Sequence, residues 1–173
     1  MRKLLTSCAL LVTLAACSRK PADPTVQFSV VGFALQLPSG MQSALDAAMP
    51  GFRPITPDKF RSDVSQQSAL GSGKIDPLFA TLGDFDGDGT KDVIIEGTVP
   101  GDSALHVVAI MNGAKPHAFP VTSIPVFDGD AVGVYLTEAP GGKKGAFELV
   151  NYPDASTVYT YRGGTFVGAK LGN

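Results

Sequence analysis

Four aspartates, Asp84, Asp86, Asp88 and Asp92, stand within the nine residues from 84 to 92 of this 173-residue chain. Carboxylates held that close repel: two unit charges about 4 Å apart oppose each other by roughly 1 kcal/mol even in bulk water, and by more near a protein surface. An ordered loop carrying all four calls for a cation; the alternative is an acidic turn that holds no ion and stays loose. The i, i+2, i+4 spacing lets Asp84, Asp86 and Asp88 curl three side chains about one point. Gly89 offers the sharp turn, where a positive φ is expected, and Gly87 leaves room for the loop to tighten. The carbonyl of Thr90 would point inward next, and Asp92 would close the shell with both oxygens. Such an oxygen-only set suits Ca²⁺, which takes about six to eight oxygen ligands at roughly 2.3–2.6 Å; Mg²⁺ keeps its waters and fits less well. The expected cofactor is therefore Ca²⁺, held by Asp84, Asp86, Asp88, Thr90 and Asp92. With those positions filled by protein oxygens, the ion is expected to be structural.

The elements around the loop must present it. Leu78 to Leu82 and Val93 to Val99 read as strands, so the loop is expected to close a β-hairpin. The stretch Asp-x-Asp-x-Asp-Gly begins like an EF-hand, but Ile95 stands where that motif requires a glutamate, and strands rather than helices flank it. Asp84, Asp86, Asp88, Gly89 and Asp92 together resemble the FG-GAP or VCBS type of calcium loop, D-x-D-x-D-G-x-x-D, set between two strands. The resemblance covers residues 78 to 111. It implies calcium and says little of overall function, because loops of this type serve adhesins, enzymes and structural domains alike. Phe127-Asp128-Gly129-Asp130 echoes Phe85-Asp86-Gly87-Asp88, with Val126, Ala131 and Val134 in place of Asp84, Gly89 and Asp92. It reads as a turn; a degenerate second repeat is the sharper alternative.

The remaining pattern is mostly strand. Val26 to Leu37 reads as extended. Ser39 and Gln42 match a capping box before a short helix through Leu45 to Met49, ended by Pro50-Gly51. Thr56-Pro57 is placed to start a second helix carrying Phe60 and Val64, and residues 66 to 73 read as a loop. Ala104 to Met111 is a strand, followed by Asn112-Gly113, a two-residue hairpin signal. His117 to Val126 carries Pro120 and Pro125, which confines it to an edge strand or a loop. Val132 to Leu136, Ala146 to Asn151, Thr157 to Tyr161 and Thr165 to Ala169 follow as short strands, the last two joined by Gly163-Gly164. The expected fold class is α+β: an antiparallel β-sheet meander with one or two short N-terminal helices and the calcium-loop hairpin.

The N-terminus sets the compartment. Arg2 and Lys3 precede an apolar run from Leu4 to Ala16, shorter than the roughly 20 residues that span a bilayer. It reads as a secretory signal peptide. The run ends Leu14-Ala15-Ala16-Cys17, which resembles the bacterial lipobox. That resemblance implies cleavage before Cys17 and acylation of Cys17, anchoring the protein to a membrane. Ser18 follows, which in a Gram-negative cell favours the outer membrane. The expected organisation is a signal peptide at 1–16, a lipidated N-terminus and tether at 17–24, and a single β-rich domain at 25–173. Loss of Cys8 and use of Cys17 leave that domain without a thiol or disulfide. Removing Arg2 and Lys3 leaves 12 basic against 16 acidic residues, a net charge of −4. With no basic patch, nucleic acid is not an expected partner.

Catalytic constellations are sparse. Gly101-Asp102-Ser103 resembles the nucleophile stretch of serine hydrolases, but Ala104 and Leu105 complete neither the trypsin-like nor the GDS-L pattern. The two histidines, His106 and His117, both follow Ser103, the wrong order for a trypsin-like triad, and Ala114 stands where GDS-L enzymes carry an aspartate. Ser103 reads as a turn residue, His106 as a strand residue and His117 as loop. No catalytic residue is assigned. The leading expectation is a lipid-anchored cell-envelope protein with a calcium-stabilised binding or structural module, with an envelope protein or glycan as a possible partner. The alternative is an envelope hydrolase with a structural calcium ion and an unrecognised active site.

Overall fold

The computed structural model describes residues 20–29, 32–65, 78–125, 132–153 and 155–171. The signal peptide, Cys17, the loop expected at 66–73 and the echo at Phe127–Asp130 lie outside the described residues. Within them the protein is predominantly antiparallel β-structure. Strands β1 (Thr25–Ser29) and β2 (Gly32–Gln36) form a hairpin where one extended stretch was expected. Helix α1 (Ser39–Ala48) follows, then the short β3 (Arg53–Pro54). A meander runs through β4 (Ala80–Gly83), β5 (Asp92–Thr98), β6 (Ala104–Met111) and β7 (His117–Pro125), each pairing with the next, while β3 also pairs with β5. A second meander runs through β8 (Val134–Glu138), β9 (Ala146–Asn151), β10 (Ala155–Arg162) and β11 (Thr165–Leu171). The expected meander is thus two, breaking between β7 and β8.

Strand character follows burial. Val93 to Ile95 on β5 and Val107 to Met111 on β6 have no exposed surface, so these strands are covered on both faces and read as continuous apolar runs. β7 is an edge strand: Pro120 sits at a register shift, where Val107 pairs with Thr122 and Val108 with Pro120. A bulge at an edge is where proline's missing N–H does least harm. Phe60 makes an isolated parallel bridge to Val132, and the Leu136 N–H donates to the Leu78 carbonyl at 2.8 Å, tying β8 to the first sheet. The buried residues form one apolar cluster that draws on both sheets and on Met41 and Leu45 of α1.

Three local readings are corrected. The capping box before α1 does not form: Pro38 is the N-cap, no side chain caps the helix, and Gln42 instead donates to Asp46 at 2.8 Å. Thr56-Pro57 opens only the 3₁₀ turn Pro57–Lys59, because Phe60 leaves helical conformation to reach Val132; helix resumes at 62–65. Asn112-Gly113 does not make a two-residue hairpin, since Met111 pairs with His117 across five intervening residues. His117 is accordingly a strand residue. No helix among the described residues is long and apolar enough to cross a membrane.

Candidate metal centre

The acidic loop spans the gap between β4 and β5, whose last pair is Gly83 with Asp92. Its backbone is wound by its own aspartates. Asp84 accepts from the Gly87 N–H at 2.8 Å and the Gly89 N–H at 3.1 Å. Asp86 accepts from the Asp88 N–H at 3.0 Å. Asp88 accepts from both the Thr90 N–H at 2.7 Å and the Thr90 hydroxyl at 2.6 Å. Aspartates bond readily to main-chain groups two or three residues on, and here that habit curls the loop around its own acids. Gly87 and Gly89 both take φ of +84°, the left-handed region that a side chain would strain.

These turns bring Asp84, Asp86 and Asp88 together. One carboxylate oxygen from each lies within 4.8 Å of the others, and all three residues are exposed. The group can hold a metal ion. Its donors are oxygens with no cysteine or histidine among them, which favours a hard cation over a soft one. The Thr90 hydroxyl bond is the main cause that holds the Asp88 carboxyl below its ordinary range, keeping it ionised.

Asp92 is placed differently from its three neighbours. It is fully buried, and its two oxygens accept backbone N–H groups from Phe85 and Asn112, each at 2.8 Å. Burial pushes its pKa up to about 6; those two bonds oppose the rise, and the charges of Asp86 and Asp88 add to it. The structure therefore gives Asp92 the role of a strut, joining the start of the loop to the β6–β7 connection. Thr90 is also buried, with its hydroxyl turned to Asp88.

Two further residues fix the loop, and the aspartate spacing does not point to either. Phe85 turns away from the acids into an aromatic cluster, 6.2 Å from the Phe147 ring and 5.7 Å from the Phe166 ring, both edge-on. It pins the loop to the second sheet. Asn112 donates its side-chain amide to the Ala22 carbonyl at 3.0 Å while its N–H meets Asp92. The segment around Ala22 also reaches the loop directly, for Asp23 accepts from the Lys91 N–H at 3.2 Å. The Asn-Gly pair was legible as a turn; its service to the acidic loop depends on residues 20 and 90 positions away.

Beside the loop lies a cleft of about 370 Å³, lined by Thr81, Gly83, Asp84 and Phe85 on one side and by Lys143 and Lys144 on the other. Neither histidine lines it. His106 is hydrogen-bonded to Asp102 at 2.9 Å, and Asp102 also accepts from the Ala104 N–H at 3.1 Å. The pair ties the turn before β6 to the strand itself. His117 stacks on Phe119 at 5.9 Å. No protein-family model matches the chain, and no curated protein or solved structure matches it either.

Proposed function

We propose that this chain is a lipid-anchored cell-envelope protein whose β-rich domain is stabilised by one calcium ion and acts as a binding or structural module. The observation that carries the proposal is the approach of three carboxylate oxygens, from Asp84, Asp86 and Asp88, to within 4.8 Å of one another. A divalent cation would offset their repulsion, and calcium tolerates the irregular oxygen shells that loops provide. Asp84, Asp86 and Asp88 would bind it, with the Thr90 carbonyl as a further donor. Asp92 supports the shell from behind by fixing the backbone of Phe85. The resemblance of the loop to the FG-GAP and VCBS type points the same way, as does the leader ending in Cys17 for the anchor.

Weak binding suffices for an envelope-exposed module, with a dissociation constant on the order of 10⁻⁴ to 10⁻³ M. At about ten times that concentration, calcium adds roughly 1.4 kcal/mol to folding stability. For a chain of this size that raises the melting temperature by about 2–4 °C per kcal/mol. The test is a thermal melt in calcium against chelator, with calorimetric titration of the ion. Asp88→Ala is expected to abolish the shift. A wild type that melts identically in both buffers and takes up no calcium refutes the proposal.

The hydrolase reading draws support from one contact, the Asp102–His106 hydrogen bond at 2.9 Å, because an imidazole held by a carboxylate is one of the groups that activating a nucleophile such as Ser103 would need.

A further inference from the structure

The surface of β11 sets it apart from the rest of the molecule. Val167 and Leu171, 52% and 43% exposed, are the large apolar side chains left open to solvent among the described residues, and both lie on this strand. Among the described residues β11 is also the last strand of its sheet, with β10 on one side and no strand on the other. Three other edges are blunted: β7 carries two prolines and a bulge, β3 is two residues long, and β8 gives its Leu136 N–H to Leu78. β11 has seven residues, no proline, no bulge and one charge, Lys170. A long, flat, apolar edge is a template for another strand.

The hairpin fixes which groups face outward. Gly163-Gly164, with φ of +58° and +90°, is a two-residue turn flanked by the pair Arg162 and Thr165. In such a hairpin the flanking pair is hydrogen-bonded and the pattern then alternates. Thr165, Val167, Ala169 and Leu171 therefore spend their backbone groups on β10. The N–H and C=O of Phe166, Gly168 and Lys170 point to the open edge. The strand is self-complementary about its centre. Laid antiparallel on a second copy about Gly168, all seven residues overlap and Gly168 meets itself. Phe166 then faces Lys170 of the second copy, so the single charge never meets its like. Val167 faces Ala169 of the second copy and Thr165 faces Leu171 of the second copy, in the non-hydrogen-bonded pairs where side chains approach most closely.

We infer that β11 pairs edge to edge with β11 of a second copy of this chain, antiparallel about a two-fold axis at Gly168, joining two four-stranded sheets into one of eight. The symmetry is isologous and closes at a dimer. A Cβ at Gly168 would lie 2.9 Å from the Tyr159 ring, which covers that face at the middle of the strand. One strand pair buries less than the roughly 1,200–2,000 Å² of a tight complex, so the affinity is expected in the micromolar to millimolar range. The inference does not depend on calcium.

The test is the mass of the full chain by sedimentation and light scattering, across a wide concentration range and with micelles in large excess so that chance co-residence is rare. Lys170→Pro removes a donor on the open edge while leaving every bond to β10 in place, and Val167→Lys puts charge on the apolar row. The wild type is expected to pass from monomer to dimer with rising concentration. Lys170→Pro is expected to weaken the dimer at least about tenfold, since both copies lose a hydrogen bond, with the circular dichroism and melt of the monomer unchanged. Deuterium exchange at the Gly168 and Lys170 amides is expected to slow as dimer forms. A wild type that stays monomeric throughout, a dimer that Lys170→Pro and Val167→Lys leave intact, or open-ended oligomers each overturn the inference.

Discussion

Glu96 on β5 has no exposed surface, and neither carboxylate oxygen has a hydrogen-bond partner. On one side of the strand its N–H donates to the Phe79 carbonyl at 2.8 Å and its carbonyl accepts from the Ile55 N–H at 3.1 Å, while β6 pairs along the other side, so the side chain cannot leave without breaking the sheet. Burial therefore raises its pKa well above the ordinary 4.5. In the folded state it keeps its proton to higher pH than in the unfolded state. Stability is then greatest below pH 4.5 for this group and falls as pH rises toward the folded value. Between the two values the loss is about 1.4 kcal/mol per pH unit. Glu96→Met, of similar length and apolar, removes both the titration and the unpaired oxygens. At low pH, where the acid is neutral, it is expected to gain about 1–3 kcal/mol, the usual cost of a buried polar group without a partner. That advantage is expected to widen by about 1.4 kcal/mol for each pH unit above 4.5. Asp92 titrates with the same sign, but in both proteins, and so cancels in the difference. The assay is urea unfolding of wild type and Glu96→Met from pH 4.5 to pH 8, with Glu96→Gln as the non-titrating polar control. Parallel pH profiles for wild type and Glu96→Met would show that Glu96 has water or a partner in the folded protein, and the reasoning would fail.

Asp92→Ala leaves the buried Phe85 and Asn112 amides without acceptors, at about 1–3 kcal/mol each. Below pH 6, where the Asp92 carboxyl is mostly neutral, it is expected to melt below the wild type even in chelator; Asp88→Ala is expected to lose less there, because the Thr90 bonds it removes are only part-buried. Ser103→Ala is expected to change no activity of the protein, and a serine-directed probe that labels the wild type but not this variant would revive the hydrolase. Cys17→Ser is expected to abolish incorporation of a labelled fatty acid; label retained in that variant would remove the anchor.

Much of the architecture was legible along the chain because its causes are local. Aspartates two residues apart, with Gly87 and Gly89 flanking the last of them, wind a turn around their own side chains, and the structure shows that turn at Asp84 to Thr90. Pro120 and Pro125 confine their segment to an edge because proline has no N–H to give, and Gly163-Gly164 makes a hairpin because both positions need positive φ. What the tertiary structure alone decided depends on groups far apart in sequence. Spacing alone cannot separate Asp92 from the three acids before it; its burial, and an Asn112 amide twenty residues on, turn it into a strut. Phe85 looks like one more loop residue until Phe147 and Phe166 arrive from the second sheet to hold it. Glu96 reads as the polar interruption of an apolar strand, and only packing on both faces of β5 makes it a buried acid. The division into two sheets is of the same kind: each strand's alternation says that it has a covered face, and only the assembled core says which other strand covers it.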